Sequence, residues 1–234
     1  MTNTNTFTAS PEAKANAKKF RTYAIIGWTV AMIAQVLAIM KLINDETLIA
    51  LIAAIVVILG IAFFSGNFWK KSNKLDPTSE KNSLRFFFQN QLGAIMGVLC
   101  FLPLVISIFT SNTISGKTKA IAGTAASVAM TAAGISGAEF DPASKEKYTK
   151  EIQAQNKDAE SVGINTNKVY WSKAGNKYHA YNDCQYIKGK SLSSGSIKKS
   201  WEEKGISELC KVCRKRSAKA ATVKEKAGEL MEVN

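Results

Sequence analysis

The chain holds a single histidine, His179, placed five residues before Cys184 in the stretch KYHAYNDC. Two further cysteines, Cys210 and Cys213, follow as the knuckle CKVC. Imidazole nitrogen and thiolate sulfur are what zinc takes in a tetrahedron at roughly 2.0 to 2.3 Å, and a Cys-x-x-Cys supplies two ligands from one tight turn. His179, Cys184, Cys210 and Cys213 thus form a Cys3His set, enough to close a structural site around one Zn2+. Taken alone, a Cys-x-x-Cys also reads as a redox pair, and a lone histidine is more often an ordinary surface or core residue. The metal reading is favoured because the set uses every cysteine of the polar half and the only histidine. Four cysteines are too few for a disulfide scaffold, and Cys100 lies in an apolar run where it reads as a small buried filler. Four protein ligands leave no open position for a reacting water, and no general base stands beside them, so the expectation is a non-enzymatic site.

Those ligands need a small fold around them. In KVYWSKAGNKYHAY, Val169 and Trp171 alternate as on a strand, AGN supplies a turn, and Lys177 to Tyr181 returns, which predicts a β-hairpin carrying His179. SGSIKKSWEEKGIS predicts a helix capped by Ser194 or Ser196 and ended by Gly205, packing Ile197 and Trp201 on the hairpin. Residues 168–216 are therefore expected to be a small α+β domain. Before it, 141–167 reads as a polar stalk or linker with a short helix around Ser144 to Gln155 and a flexible end. After it, 217–234 reads as a charged helix or tail with Val223, Ala227 and Leu230 roughly on one face.

The segment from Val169 to Cys213 resembles the small Ada-like metal-binding domains found at the ends of many bacterial membrane and secreted proteins. Their order is a hydrophobic strand, a Tyr-His pair, a downstream Cys, a helix and a terminal Cys-x-x-Cys. GISGAEFDPASKEKY likewise resembles the junction between span and stalk in uncharacterised bacterial multi-pass membrane proteins carrying such a domain. The resemblance covers about a third of the chain. It implies a zinc site on the four residues above. The DNA-repair Ada domain uses four cysteines and accepts a methyl group on one; here His179 stands for one cysteine, and no methyltransferase or DNA-binding helical segment adjoins. Methyl-acceptor chemistry follows by analogy only.

Ahead of the polar half lies an apolar one, 22–140. Runs at about 23–43, 48–66 and 92–110 are each long enough to cross a hydrocarbon core of roughly 30 Å at about 1.5 Å per residue. The third contains Pro103, which a span tolerates when neighbours re-satisfy the freed carbonyl. A fourth run, 120–138, is rich in Ala, Gly, Ser and Thr; it reads either as a closely packed span with Gly123, Ser127 and Thr131 on one face, or as an interfacial or soluble helix. FWKK (68–71) and LRFFFQN (84–90) read as interface anchors of the middle loop. The first twenty-one residues are polar, a tail and not a cleavable signal. The fold class expected is a mostly α membrane protein with four transmembrane helices plus a small α+β zinc-binding C-terminal domain.

Lys14, Lys18, Lys19 and Arg21 flank the first run, and Lys70, Lys71, Lys74, Lys81 and Arg85 fill the middle loop. The positive-inside rule puts both in the cytoplasm, and four spans return the C-terminal domain there; three would leave it extracellular. The formal net charge of +13 calls for phosphate-bearing neighbours besides the lipid bilayer, either anionic lipid head groups or nucleic acid. Lys173, Lys177, Tyr181, Trp171, Arg214 and Arg216 are the expected contacts. The function expected is a membrane protein presenting a structural zinc module for binding or sensing. The alternative is a membrane-tethered nucleic-acid-binding protein that stacks bases on the aromatics of that module.

Overall fold

A computed structural model describes residues 6–206 and 208–232 of the chain, with side chains described as far as Val223. The described residues fall into two compact units. One is 14–143; the other joins the residues up to Ala13 to those from Ser144 onward.

The unit of residues 14–143 is helical. Its elements are α1 (Pro11–Leu42, whose first turn belongs to the other unit), α2 (Leu48–Leu75), α3 (Ser83–Leu99), α4 (Leu102–Thr110) and α5 (Gly116–Gly137). Four segments are long and apolar enough to cross a membrane: Pro11–Leu42, Asp45–Leu75, Ser83–Thr110 and Gly116–Gly137. Several run beyond the apolar stretches that announce them. Ser10 caps α1 by accepting the Ala13 N–H at 3.1 Å, and Pro11, with φ already set, starts the helix ahead of an Ala- and Lys-rich turn. At its other end α2 continues to Leu75, because nothing breaks it before Pro77, whose ring disfavours helix at Asp76. FWKK and LRFFFQN consequently lie on α2 and α3, not in a loop. The Trp69 indole N–H and the Asn73 amide both donate to the Gln89 carbonyl at 2.7 Å, tying the two helices together.

The third apolar run is not one helix. It breaks at Cys100 and Phe101 between α3 and α4. Pro103 lacks the N–H that would bond the carbonyl four residues back, and its ring crowds that carbonyl. Cys100 is fully buried at the break.

The face that α5 buries also differs from expectation. Gly123 is buried, but Thr131 is exposed and Ser127 only half-buried. The buried row is Ala122, Ala126, Ala129, Ala133 and Gly137. Against its end lies α3, close enough that a Cβ added to Gly97 would stand 2.6 Å from the Ala133 carbonyl oxygen. Backbone approach of this kind admits only small residues, and threonine and serine turn away; the Thr131 hydroxyl instead donates to its own helix at Ser127.

The second unit contains α6 (Lys145–Ser161), β1 (Val169–Ser172), β2 (Lys177–Tyr178), β3 (Leu192–Gly195), α7 (Ile197–Lys204), β4 (Glu208–Leu209) and α8 (Lys211–Glu232). The expected hairpin is reduced to one antiparallel bridge between Tyr170 and His179. The strands spend their other edges elsewhere: β1 pairs antiparallel with β3, from Val169 opposite Gly195 to Ser172 opposite Leu192, and β2 pairs parallel with β4. Ser196, not Ser194, caps α7, accepting the Lys199 N–H at 3.1 Å, and Gly205 ends it in the left-handed region at φ 64°.

From Ser144 onward the expected stalk belongs to this unit and contributes to its core. Ser144 caps α6, which runs to Ser161 and buries Ile152 and Ala159 in one cluster with Trp171, Ile197 and Trp201. The Trp201 indole donates to Gln155 Oε1 at 3.1 Å, and its ring meets Tyr148 at 4.8 Å. The polar N-terminal stretch joins too: Phe7 is fully buried, its N–H donating to Thr149 Oγ1 at 2.9 Å and its ring edge-on to Tyr148. Burying such a side chain is worth about 1.5–3 kcal/mol. The C-terminal stretch is continuous with the knuckle as α8; Val223 is exposed, and the Ala227 and Leu230 side chains lie outside the described residues.

Gly97→Val is expected to lower the unfolding midpoint of the chain in detergent, since overpacking costs about 1–3 kcal/mol and backbone cannot yield easily. Gly60, whose added Cβ would meet nothing within 4 Å, is the control. Gly60→Ala is expected to be neutral or to stabilise by up to about 1 kcal/mol. Equal midpoints for the two variants would contradict the α3–α5 contact.

Candidate metal centre

Two strand ends and one helix start bring the four ligands together. β2 and β4 run parallel, with Lys177 opposite Glu208 and Tyr178 opposite Leu209, so the next residues, His179 and Cys210, arrive side by side. The Cys210 N–H donates to the Tyr178 carbonyl at 2.9 Å and extends the pairing by one bond. His179 is held from its other side by Tyr170, with bonds of 2.8 and 2.7 Å in both directions. Cys210 then opens α8, and Cys213 follows within its first turn, where the Arg214 N–H donates to the Cys210 carbonyl at 3.0 Å. Cys184 comes from a tight turn whose carbonyl accepts the N–H groups of Ile187 and Lys188, both at 2.9 Å. Ile187 is buried with Cys184, Cys210 and Cys213 in one small cluster.

All four side chains are buried, and their ligand atoms lie within 4.8 Å of one another. Cys184 Sγ stands 3.9 Å from Cys210 Sγ, and Cys213 Sγ 3.8 Å from His179 Nδ1. These separations discriminate between chemistries. A disulfide needs about 2.05 Å between sulfurs, and all four cysteines of the chain are free thiols. Ligands about 2.3 Å from a common centre in a tetrahedron lie roughly 3.7 Å apart, close to what is seen. The donor set therefore fits a tetrahedral metal ion held by three sulfurs and the imidazole Nδ1.

The surroundings set the protonation states. Burial, with a smaller push from the Lys190 charge, lowers the His179 pKa from its ordinary value, so the ring is neutral at pH 7 and ready to ligate. Burial pushes the Cys213 thiol up to about 12, so a metal must displace its proton. Lys177 and Glu208 form an ion pair at 2.7 Å across β2 and β4. That hydrogen bond raises the lysine and lowers the carboxylate. Solvent screens an exposed pair of this kind, so it orients the strands more than it stabilises them.

The expected contact residues do not form a free binding face. Trp171 is fully buried in the core, so its indole has no face left for a base or a head group; that expectation is corrected. Lys177 is paired as described, and Arg214 pairs with Asp158 at 2.6 Å. Arg216 pairs with Asp183 at 2.8 Å and lies over the Tyr181 ring, 4.2 Å from its centre. The Tyr181 hydroxyl shares a hydrogen bond of 2.8 Å with Ser217. Of the six, Lys173 alone is exposed and unengaged by its side chain among the described residues.

Sequence reasoning missed the β2–β4 pairing and the part played by Phe7. The first left no signal, since two-residue strands have no periodicity. The second left one: a lone aromatic ahead of the Ser-Pro-Glu helix start at Ser10–Glu12.

Zinc uptake at pH 7 is expected to release protons from thiols, Cys213 included, and none from the neutral His179. His179→Cys should then raise the release by about one proton, since a fourth thiol must ionise. Calorimetry in buffers of different ionisation heats counts those protons. A variant releasing no more than the parent would mean that His179 is protonated at pH 7 or does not ligate. Comparison of the chain with models of protein families, with curated proteins and with solved structures finds no match in any of the three, so the centre stands on its own residues and distances.

Proposed function

We propose that the chain is an integral membrane protein presenting a small, closed, Ada-like zinc module at the membrane surface, where it binds or senses without catalysis. The carrying observation is the buried convergence of His179, Cys184, Cys210 and Cys213. Three thiolates and one imidazole suit zinc, and four protein ligands leave no place for a reacting water. The four membrane-capable segments supply the anchor. An apolar exterior on such helices, with Ile25, Ile33, Val56 and Phe64 each more than half exposed, is what a lipid-facing bundle needs.

Chain order supports one sidedness. Residues Phe7 to Ala13 belong to the same unit as the module, and four membrane-capable segments connect these two parts of it. An even number of crossings returns both to one side. The Asp45 carboxylate accepts from the Ser115 N–H and hydroxyl, both at 2.9 Å, which joins the α1–α2 link to the α4–α5 link at one end of the bundle. That end carries Lys41, Lys117 and Lys119 against Asp45 and Glu46, whereas the other carries the nine basic residues of the N-terminal flank and middle stretch. The positive-inside rule then favours a cytoplasmic module.

The purified full-length chain is expected to hold about one zinc, measured by mass spectrometry of the metal. A chelator should abolish the folding transition of the module, because structural zinc contributes on the order of 10 kcal/mol. Cys210→Ser should lose the metal. A metal-free chain with an unchanged transition would refute the module. In intact cells, a thiol reagent that cannot cross membranes is expected to leave Cys184, Cys210 and Cys213 unlabelled even after zinc is stripped; labelling there would put the module outside.

A further inference from the structure

A cleft of about 430 Å³ opens beside the cluster, and His179 and Cys210 form part of its wall. Three lysines line it, Lys177, Lys190 and Lys211, and among the described residues only Lys177 of the three is in an ion pair, with Glu208. Lys211 begins the 22-residue helix α8, so the positive end of that helix also faces this region. Ser172 is 5 % exposed and lines the cleft, yet its hydroxyl makes no hydrogen bond among the described residues.

The decisive group is the outer nitrogen of His179. Nδ1 is turned to Cys213 Sγ, and Nε2 makes no hydrogen bond among the described residues. With Nδ1 on a metal, the neutral ring carries its proton on Nε2. A ligating histidine nearly always gives that proton to a carboxylate, a carbonyl or a water. None of the described residues supplies the acceptor, and the ring lines the cleft.

We propose that this cleft binds a small molecule bearing a phosphate group, which accepts hydrogen bonds from His179 Nε2 and Ser172 Oγ and sits between Lys190 and Lys211. A phosphate ester brings three acceptor oxygens to the four donor groups, His179 Nε2, Ser172 Oγ, Lys190 and Lys211, where a carboxylate brings two. The lysines do more than offset the metal site, because zinc with three thiolates carries a single net negative charge. Tyr186, exposed at the rim, offers a ring face to the rest of the ligand. The phosphate belongs to a soluble ester or to a phospholipid head group. The inference rests on the zinc-module reading through the tautomer of His179.

The test is calorimetric titration of the zinc-loaded full chain with phenyl phosphate, in nanodiscs of phosphatidylcholine, with zinc content measured on the same samples. One site is expected, weakened about tenfold by Lys190→Ala and again by Lys211→Ala. Lys188→Ala, outside the cleft, should change nothing. His179→Cys keeps a four-ligand zinc set but removes the donor, so affinity should fall while zinc stays. Adding phosphatidic acid to the nanodiscs assigns the source: competition means a head group, unchanged affinity a soluble ester. Zinc-loaded chain that takes up no phenyl phosphate, or lysine variants that bind as the parent does, would overturn this inference alone. Chain without zinc would overturn the module reading and this inference with it.

Discussion

The parallel pairing of β2 with β4 is the contact on which the rest of the module depends. It is only two residues long on each strand, and each strand ends on a ligand, His179 after Tyr178 and Cys210 after Leu209. A ladder this short does not hold by itself in water. The ion pair of Lys177 with Glu208, within the ladder, orients it, and the four-ligand cluster follows directly after it. Strand pairing places the ligands, and the ligands, once joined by a metal, fix the strands. With a metal bound, the dependence would run both ways.

The rest of the module supports that junction from outside. β1 and β3 form the second pair of strands and reach the centre through the Tyr170–His179 bridge. Behind β1, Trp171 and Val169 are packed by α6, α7 and the N-terminal Phe7. The helical unit of residues 14–143 obeys a different constraint. A close approach there, α3 against α5, is made by Gly93, Gly97, Ala133 and Gly137 with backbone nearly touching backbone.

What could be read in the sequence follows from which signals are local. Four ligand types at recognisable spacing, an apolar run of span length, and a serine before or a glycine after a helix each depend on a few neighbouring residues. The His and Cys residues that converge, a start of α7 at Ser194 or Ser196 and its stop at Gly205, and four membrane-capable segments could therefore be named in advance. Long-range choices could not. The alternation around Val169 and Trp171 is equally good for a hairpin or for pairing with β3, and only the fold decides. A polar sequence such as that of α6 looks like a linker until its few apolar residues, Ile152 and Ala159, meet Trp201. Likewise Trp171 reads as a stacking residue from composition, but in the fold it is core.

The central claim is that three thiolates and one imidazole close around a single metal ion. X-ray absorption at the zinc edge of the purified chain tests it most directly. The account requires three sulfur neighbours at about 2.3 Å and one nitrogen at about 2.0 Å, with no further light-atom ligand. A spectrum with two sulfurs, or with an added oxygen marking an open position, would contradict it.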